Sequence, residues 1–166
     1  PLTSIYNRRK FNELLTFEVE RSKRYKTGLS IIMCDIDDFK NINDTFGHDV
    51  GDNALKIFSS RINDYIREVD MLARWGGEEF MILMPNVTID GASSVAEKLR
   101  KVIEETEIKK IKSFTASFGV TNLNEDDTAE SFLKRVDEAM YKAKNSGRNK
   151  VESIDLQKHN PLSEKT

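Results

Sequence analysis

Three carboxylates occupy positions where an acidic side chain needs a partner. Asp35 lies near the end of an apolar run of strand length, and Glu78 and Glu79 open a second apolar run. An unpaired buried charge is costly, so a carboxylate there pairs with a cation. If the two runs are neighbouring strands, Asp35 and Glu78 converge. With phosphate oxygens they then make the all-oxygen site that Mg²⁺ or Mn²⁺ prefers, although an isolated aspartate more often caps a helix or forms a salt bridge.

The two glutamates follow a glycine pair within residues 71–84. This segment reads as two short apolar strands joined by Gly76 and Gly77. A Gly-Gly pair favours a two-residue hairpin turn, because glycine accepts the positive φ that such turns require. Neighbouring residues on a strand point to opposite faces, so at most one of Glu78 and Glu79 faces a given site. The glycines also leave room for a large ligand to approach the backbone.

Hydrophobic periodicity predicts the elements that position these groups. Strands are predicted over residues 29–36, the two arms of 71–84, 114–120 and, at an edge, 149–151. Helices are predicted from 7 to about 25, 37 or 38 to about 45, 49 to 66, 89 to 105 and 129 to 145. This order predicts an α/β fold, an α+β sandwich whose central, largely antiparallel five-stranded sheet is flanked by helices.

Composition narrows the class of protein. The 166 residues are 38% hydrophobic and 33% charged, which suits one domain with a core, expected over residues 1–152, before a polar and disordered tail over 153–166. A net charge of −2 excludes an overall field for nucleic acid or an anionic membrane. Cys34 is the only cysteine, which favours a reducing cytoplasm. Because the chain begins with Pro1, we expect a longer protein, which could itself be membrane-anchored.

The segment Gly76-Gly77-Glu78-Glu79-Phe80 resembles the signature of the GGDEF family of diguanylate cyclases, in its GGEEF form. Further motifs of that family follow the expected order at 2–9, 35–40, 43–52 and 143–149, so the resemblance runs from residue 2 to about 151. It implies a fold of the nucleotidyl-cyclase and polymerase-palm type. It also implies that two GTP molecules are condensed to cyclic di-GMP and two pyrophosphates across a homodimer.

The resemblance assigns roles to the acidic residues. Asp35 and Glu78, with the carbonyl of Ile36, are expected to hold Mg²⁺ or Mn²⁺, and Asp35, Glu78 and Glu79 are expected to be catalytic. Glu79 is left between catalysis and support of the turn. Asp37 is left at even odds between this site and a cap of the following helix.

The resemblance also assigns the nucleotide contacts. Asn43 and Asp52 are expected to read the guanine edge, because a carboxylate accepts from guanine N1–H and the 2-amino group, which adenine cannot offer. The expected phosphate-binding residues are Lys40, Lys144, Arg148, Gly76 and Gly77. The alternative for Asn43 and Asp52 is a role as cap or turn residues. The alternative for Lys144 and Arg148 is that they complement the dipole of a helix at its C-terminal end.

Arg67 and Asp70 match the family's product-inhibition site, where cyclic di-GMP binds. The candidates to complete it are Lys98, Arg100 and a neighbouring subunit. An Arg-x-x-Asp pattern is common by chance, and a surface ion pair is the alternative.

Two rival functions remain open at this stage. One is a non-catalytic module that binds GTP or cyclic di-GMP, and the other is an α/β interaction domain. Degenerate family members lose the metal carboxylates or the glycines, whereas Asp35, Gly76, Gly77, Glu78 and Glu79 are all present here. The cyclase is therefore the leading hypothesis, with an upstream sensory or receiver domain in the full-length protein and no direct membrane contact by this segment.

Overall fold

The computed structural model describes residues 5–157. In chain order its elements are β1 (Ile5–Tyr6), α1 (Arg8–Tyr25), β2 (Leu29–Ile36), α2 (Phe39–Phe46), α3 (His48–Tyr65), β3 (Met71–Arg74), β4 (Glu79–Pro85), α4 (Ile89–Glu104), β5 (Ala116–Asn122), α5 (Ala129–Asn145) and β6 (Val151–Ile154). Among these residues, none of the helices combines the length and the apolar character needed to cross a bilayer.

The sheet has the strand order β1-β3-β4-β2-β5-β6. Its three inner pairs are antiparallel and its two edge pairs are parallel, so the mixed, largely antiparallel architecture is confirmed. The predicted number of five strands was wrong, because β1 adds a sixth by pairing Ile5 and Tyr6 with β3. Two residues are too few to show the alternation by which a strand is recognised in sequence.

The central strand β2 divides the core into two layers. Ile32 and Cys34 are buried in one cluster with α2, α3 and α4, whereas Ile31 and Met33 are buried in the other with α1 and α5. Alternate residues of a strand face opposite sides, and this explains why the whole run is apolar. By the same alternation, Asp35 faces the layer that contains α5.

A buried ion pair anchors the start of α5. Arg135 donates to both carboxylate oxygens of Asp127, at 2.9 and 2.6 Å, and both side chains are buried. Burial opposes ionisation of Asp127, but hydrogen bonds from Arg135, the Asn124 backbone and Ser131 outweigh it and lower the pKa of Asp127 to about 2. The loop before α5 is thereby fixed, and with it the direction of the helix.

Two predicted boundaries at the end of the chain are corrected. The edge strand was predicted over 149–151, but β6 is Val151–Ile154. The tail was predicted to begin at 153, but Ile154 is buried and its carbonyl accepts a hydrogen bond of 2.6 Å from Thr121 Oγ1. Parallel pairing with β5 therefore extends the domain past residue 152. Residues 158–166, where the rest of that prediction falls, lie outside the described residues.

Candidate active site

Asp35 is a buried carboxylate, and one of its two oxygens has no hydrogen-bond partner among the described residues. Its Oδ2 accepts from Nζ of Lys144, which lies near the end of α5. The oxygen that lacks a partner within residues 5–157 is the buried Oδ1. A buried acceptor without a donor is costly, so this oxygen marks a position where a cation or a donor from a ligand would be stabilising.

The electrostatic setting of Asp35 points the same way. Burial raises the pKa of Asp35 to about 6 from its ordinary 3.8; Lys144 opposes this rise, and the negative charges of Asp37 and Glu78 add to it. The ionised form of Asp35 is therefore unfavourable in the ligand-free site, and a bound cation would stabilise it.

The hairpin does not have the predicted two-residue turn. The strand β3 ends at Arg74 and β4 begins at Glu79, so Trp75–Glu78 forms a four-residue connection. The N–H groups of Trp75 and Gly76 both donate to the carbonyl of Glu79, at 2.8 and 3.2 Å. Arg74 closes the loop from outside by donating to the carbonyl of Gly77 at 2.6 Å.

The glycines of this loop are explained by space rather than by positive φ. Neither Gly76 nor Gly77 has a left-handed φ. A β-carbon on Gly77 would have no heavy atom within 4 Å, so this part of the backbone faces open space. A β-carbon on Gly76 would lie 3.3 Å from Oε2 of Glu79. The loop therefore offers bare backbone that a ligand can approach closely.

The two glutamates are separated by the start of β4. Glu78 precedes the strand, and its charge is one of the causes that raise the pKa of Asp35. Glu79 is the cross-strand partner of Asp35, and its carboxylate lies over Gly76. Within residues 5–157, no group of three or more acidic, histidine or cysteine side chains is arranged to hold a metal. The carboxylates of Asp35 and Glu78 would thus need oxygens from the backbone, water or a phosphate.

An aromatic contact that the sequence did not reveal holds the hairpin against α1. The guanidinium of Arg8 lies 4.0 Å from the ring centroid of Trp75, and Phe11 packs edge-on against the same ring at 5.8 Å. Cation–π and aromatic pairs of this kind are each worth about 0.5–1.5 kcal/mol. The first turn of α1 therefore supports the residue next to Gly76.

The structure places Asn43, one of the expected guanine-reading residues, against Gly51 of α3, the helix that carries the other, Asp52. A β-carbon on Gly51 would lie 1.8 Å from Oδ1 of Asn43, so the Asn43 amide occupies the place that a side chain on residue 51 would take. This puts Asn43 beside the residue that precedes Asp52. Oδ1 of Asn43 is buried and has no hydrogen-bond partner within the described part of the chain. Gly51 was part of a recognised motif, but its role was not foreseen.

Two of the expected phosphate-binding residues, Lys40 and Arg148, lie at the start of α2, whereas Lys144 is hydrogen-bonded to Asp35. Lys40 is exposed in the first turn of this helix. Asp38 occupies the N-cap with a left-handed φ of 54°, and its side chain makes no capping hydrogen bond. Instead its carboxylate lies 3.7 Å from Nε of Arg148. The first amides of α2 are left uncapped beside Arg148, an arrangement that suits an anion.

Asp37 is neither the predicted cap nor a free carboxylate. Asp38 takes the cap position, and both oxygens of Asp37 accept hydrogen bonds from Thr115, Ser117 and the backbone of Asn149. Thr115 and Ser117 alternate in a largely apolar run, and that alternation was the available signal for a polar partner on this face.

Arg67 and Asp70 form a closed turn. Asp70 is buried and accepts from the backbone N–H of Arg67 at 2.8 Å, while Nη2 of Arg67 donates to Asp70 at 2.8 Å and to the carbonyl of Pro85 at 2.8 Å. Of the candidates to extend this site, Arg100 is occupied by Glu97, whereas Lys98 is exposed and lies 5.5 Å from the ring centroid of Tyr65.

Fold and site together define a candidate nucleotide-binding domain. The buried carboxylate of Asp35, which a cation would stabilise, lies near the end of the central strand. The uncapped amides of α2 and the basic side chains of Lys144 and Arg148 belong to the same candidate site. The model of the family described as "Diguanylate cyclase, GGDEF domain" matches residues 1–150. The chain belongs to this family.

Named relatives and solved structures support this family assignment. Diguanylate cyclase A of Treponema denticola is 44% identical over 140 residues, which is 81% of this chain and 38% of that protein. The active GGEEF domain of a diguanylate cyclase from Vibrio cholerae has a TM-score of 0.86 at 35% identity, over 90% of this chain and 97% of that one. The GGDEF domain of DgcB from Caulobacter crescentus, in complex with c-di-GMP, has a TM-score of 0.88 at 28% identity, over 92% and 93%.

The chain spans little more than a third of the length of full-length relatives such as the Treponema protein and the response regulator PleD of Caulobacter vibrioides.

Proposed function

We propose that this domain is a diguanylate cyclase, a GTP-dependent nucleotidyltransferase that condenses two GTP into cyclic di-GMP and two pyrophosphates. The observation that carries the proposal is the buried, unpartnered Oδ1 of Asp35, close to Glu78, in a member of the GGDEF family. A carboxylate kept in this state is useful if a cation and a nucleotide complete it, and unfavourable otherwise.

The residues fit a divalent cation, Mg²⁺ or Mn²⁺. Asp35 and Glu78 supply carboxylate oxygens, and Ile36, the last residue of β2, supplies a carbonyl in this proposal. Such an ion, when bound, polarises a phosphoryl group and lowers the pKa of a coordinated hydroxyl. Lys144 holds the other oxygen of Asp35 and keeps that carboxylate oriented.

Guanine selection falls to α2 and α3. Asp52 accepts from N1–H and the 2-amino group of guanine, and adenine, which has an acceptor at N1, leaves the carboxylate unpaired. The unpartnered Oδ1 of Asn43 offers a further acceptor against the helix that carries Asp52. Discrimination of this type, in which the wrong base leaves a polar group unsatisfied, can reach about 10⁴-fold.

The triphosphate lies in this proposal against the first turn of α2. Lys40 and Arg148 supply positive charge, and the uncapped amides add hydrogen-bond donors. Gly76 and Gly77 allow the phosphates to approach the backbone of the hairpin. Glu79 supports the loop through its main chain, since its carbonyl accepts two backbone N–H groups, and its side chain stays the third proposed catalytic carboxylate.

Each domain binds one GTP, so the reaction needs a homodimer in which each 3′-hydroxyl faces the partner's α-phosphate. Holding the two nucleotides antiparallel supplies much of the rate, since it replaces a bimolecular encounter. An upstream sensory or receiver domain would control this dimerisation in the cytoplasm, and cyclic di-GMP would restrain turnover at Arg67 and Asp70.

Incubation with GTP and Mg²⁺ or Mn²⁺ at rising protein concentration tests the proposal, with nucleotides separated by chromatography. We expect cyclic di-GMP to form more than linearly with protein concentration, and ATP to give no cyclic product. Glu78→Gln should abolish product, whereas Glu105→Gln, an exposed residue beyond α4, should not. GTP binding without product at any concentration would favour the non-catalytic binding module instead.

A further inference from the structure

We infer that Asp37 is a positioning residue that holds the turn carrying Arg148 where the triphosphate needs it. This inference rests on the proposed function, because it concerns the same GTP site. It gives Asp37, which directly follows β2, a role separate from that of Asp35 near the end of that strand.

The carboxylate of Asp37 joins three segments. Oδ1 accepts from Ser117 Oγ at 2.6 Å, and Oδ2 accepts from Thr115 Oγ1 at 2.8 Å and from the backbone N–H of Asn149 at 2.9 Å. The backbone N–H of Asp37 also donates to the carbonyl of Thr115 at 2.9 Å. Only 8% of Asp37 is exposed, so its negative charge is stabilised by these hydrogen bonds and not by water. Both oxygens already have donors.

The turn that Asp37 holds is strained. Gly147, Arg148 and Asn149 are consecutive residues with φ values of 118°, 62° and 45°. Left-handed backbone costs a non-glycine residue roughly 1–2 kcal/mol, so two such residues in a row persist only where other contacts enforce them. The hydrogen bond from the Asn149 backbone to Asp37 is one such contact. Another is the hydrogen bond of 3.0 Å from Nη1 of Arg100 to Asn149 Oδ1.

The strained turn places a cation beside the uncapped start of α2. Nε of Arg148 lies 3.7 Å from Asp38, the N-cap residue, and Asp38 directly follows Asp37 in sequence. Asp37 therefore fixes the two parts of the phosphate site relative to each other, since it precedes α2 on one side and bonds to the Arg148 turn on the other. Without the carboxylate, the turn would be free to relax and the guanidinium would lose its place.

The test measures binding of a non-hydrolysable GTP analogue and of GMP, by calorimetry in Mg²⁺, to the wild type, Asp37→Asn, Arg148→Ala and the double variant. An asparagine offers one acceptor oxygen and cannot satisfy all three donors. We expect each single variant to lower the affinity for the analogue about tenfold. The double variant should lower it no further, because the two substitutions remove the same charged contact between Arg148 and phosphate. GMP, which has no β- or γ-phosphate, should change less than about twofold.

Three outcomes would overturn the inference: an unchanged affinity in Asp37→Asn, an effect additive with Arg148→Ala, or an equal loss for GMP. Weaker Mn²⁺ binding by Asp37→Asn without nucleotide would instead make Asp37 a metal ligand.

If Asp37→Asn does not fold, Ser117→Ala removes one donor and should produce the same pattern at about two- to fourfold. Asp64→Asn, an exposed change of the same charge on α3, is the control. Failure of the wild type to bind the analogue would count against the proposed function itself.

Discussion

Oδ1 of Asn43 lies where a β-carbon on residue 51 would be, 1.8 Å from its ideal position. The amide can therefore rest against α3 only while residue 51 is glycine. Gly51 is buried in the first turn of that helix, where alanine would otherwise be favoured by up to roughly 1 kcal/mol. The sequence thus gives up helix stability at this position, and the Asn43 amide, proposed above to read guanine, gains its place.

We expect Gly51→Ala to weaken GTP binding by about tenfold or more, because the Asn43 amide must leave its site. The displaced group is the end of a side chain, so the fold should survive with a melting temperature close to that of the wild type. Calorimetric titration with GTP measures the first effect and thermal unfolding the second. Asn53→Ala, on the exposed face of α3, is the control. Unchanged GTP affinity in a folded Gly51→Ala would refute a role for this contact.

The charge of Asp35 should make the stability of the ligand-free domain depend on pH. Its pKa is raised to about 6 in the folded protein, chiefly by burial, from an ordinary value of 3.8. Between these two values the native state binds more protons than the unfolded chain, so the free energy of unfolding falls as the pH rises. The loss levels off about one pH unit above the folded-state pKa, and a shift of this size corresponds to roughly 3 kcal/mol.

Urea unfolding of the wild type and Asp35→Asn, from pH 4.5 to 7.5 with a chelator and no nucleotide, measures this term. We expect the variant to gain relative to the wild type as the pH rises, because its neutral amide pays no charge penalty, although it lacks the ion pair with Lys144. Taking the difference cancels the other titrating groups. A stability difference that stays constant across this range would show that Asp35 does not titrate there.

Hydrophobic periodicity was sufficient for most of the fold. The burial of β2 on both faces and the amphipathic repeats of α1, α4 and α5 are properties of side chains near in sequence, and these elements were predicted within a few residues. The two-residue strand β1 was not, because it depends on pairing with β3, which lies far away in sequence. The four-residue connection after Arg74 was not predicted either, because its length follows from the register of β3 against β4 and not from the Gly-Gly pair alone.

The candidate site divides in the same way. Family motifs pointed to Asp35, Asn43 and Lys144, but not to the contacts that hold them. The fit of Asn43 against Gly51, and the three donors around Asp37, arise between segments that lie far apart in sequence or in different elements. Sequence spacing carries no information on which polar groups such a meeting leaves unsatisfied.

The turn that contains Arg67 and Asp70 limits how product inhibition can be tested. Asp70 is buried and accepts from the backbone N–H of Arg67, so Asp70→Ala would leave that donor without its partner at a cost of about 1–3 kcal/mol. Loss of inhibition in that variant would therefore not separate binding from folding. Arg67 is the better probe, because half of its side chain is exposed and its contribution to the turn is made from the surface.

We expect Arg67→Ala to retain cyclase activity and to weaken inhibition by added cyclic di-GMP about tenfold or more, since a guanidinium that contacts a phosphate or a guanine edge is lost. Initial rates of pyrophosphate release at rising cyclic di-GMP give the inhibition constant. Arg61→Ala, which removes an exposed arginine from α3, is the matched control and should be inhibited like the wild type. If Arg67→Ala were inhibited as strongly as the control, the Arg67–Asp70 pair would be a structural clasp on the turn before β3, and cyclic di-GMP would act elsewhere.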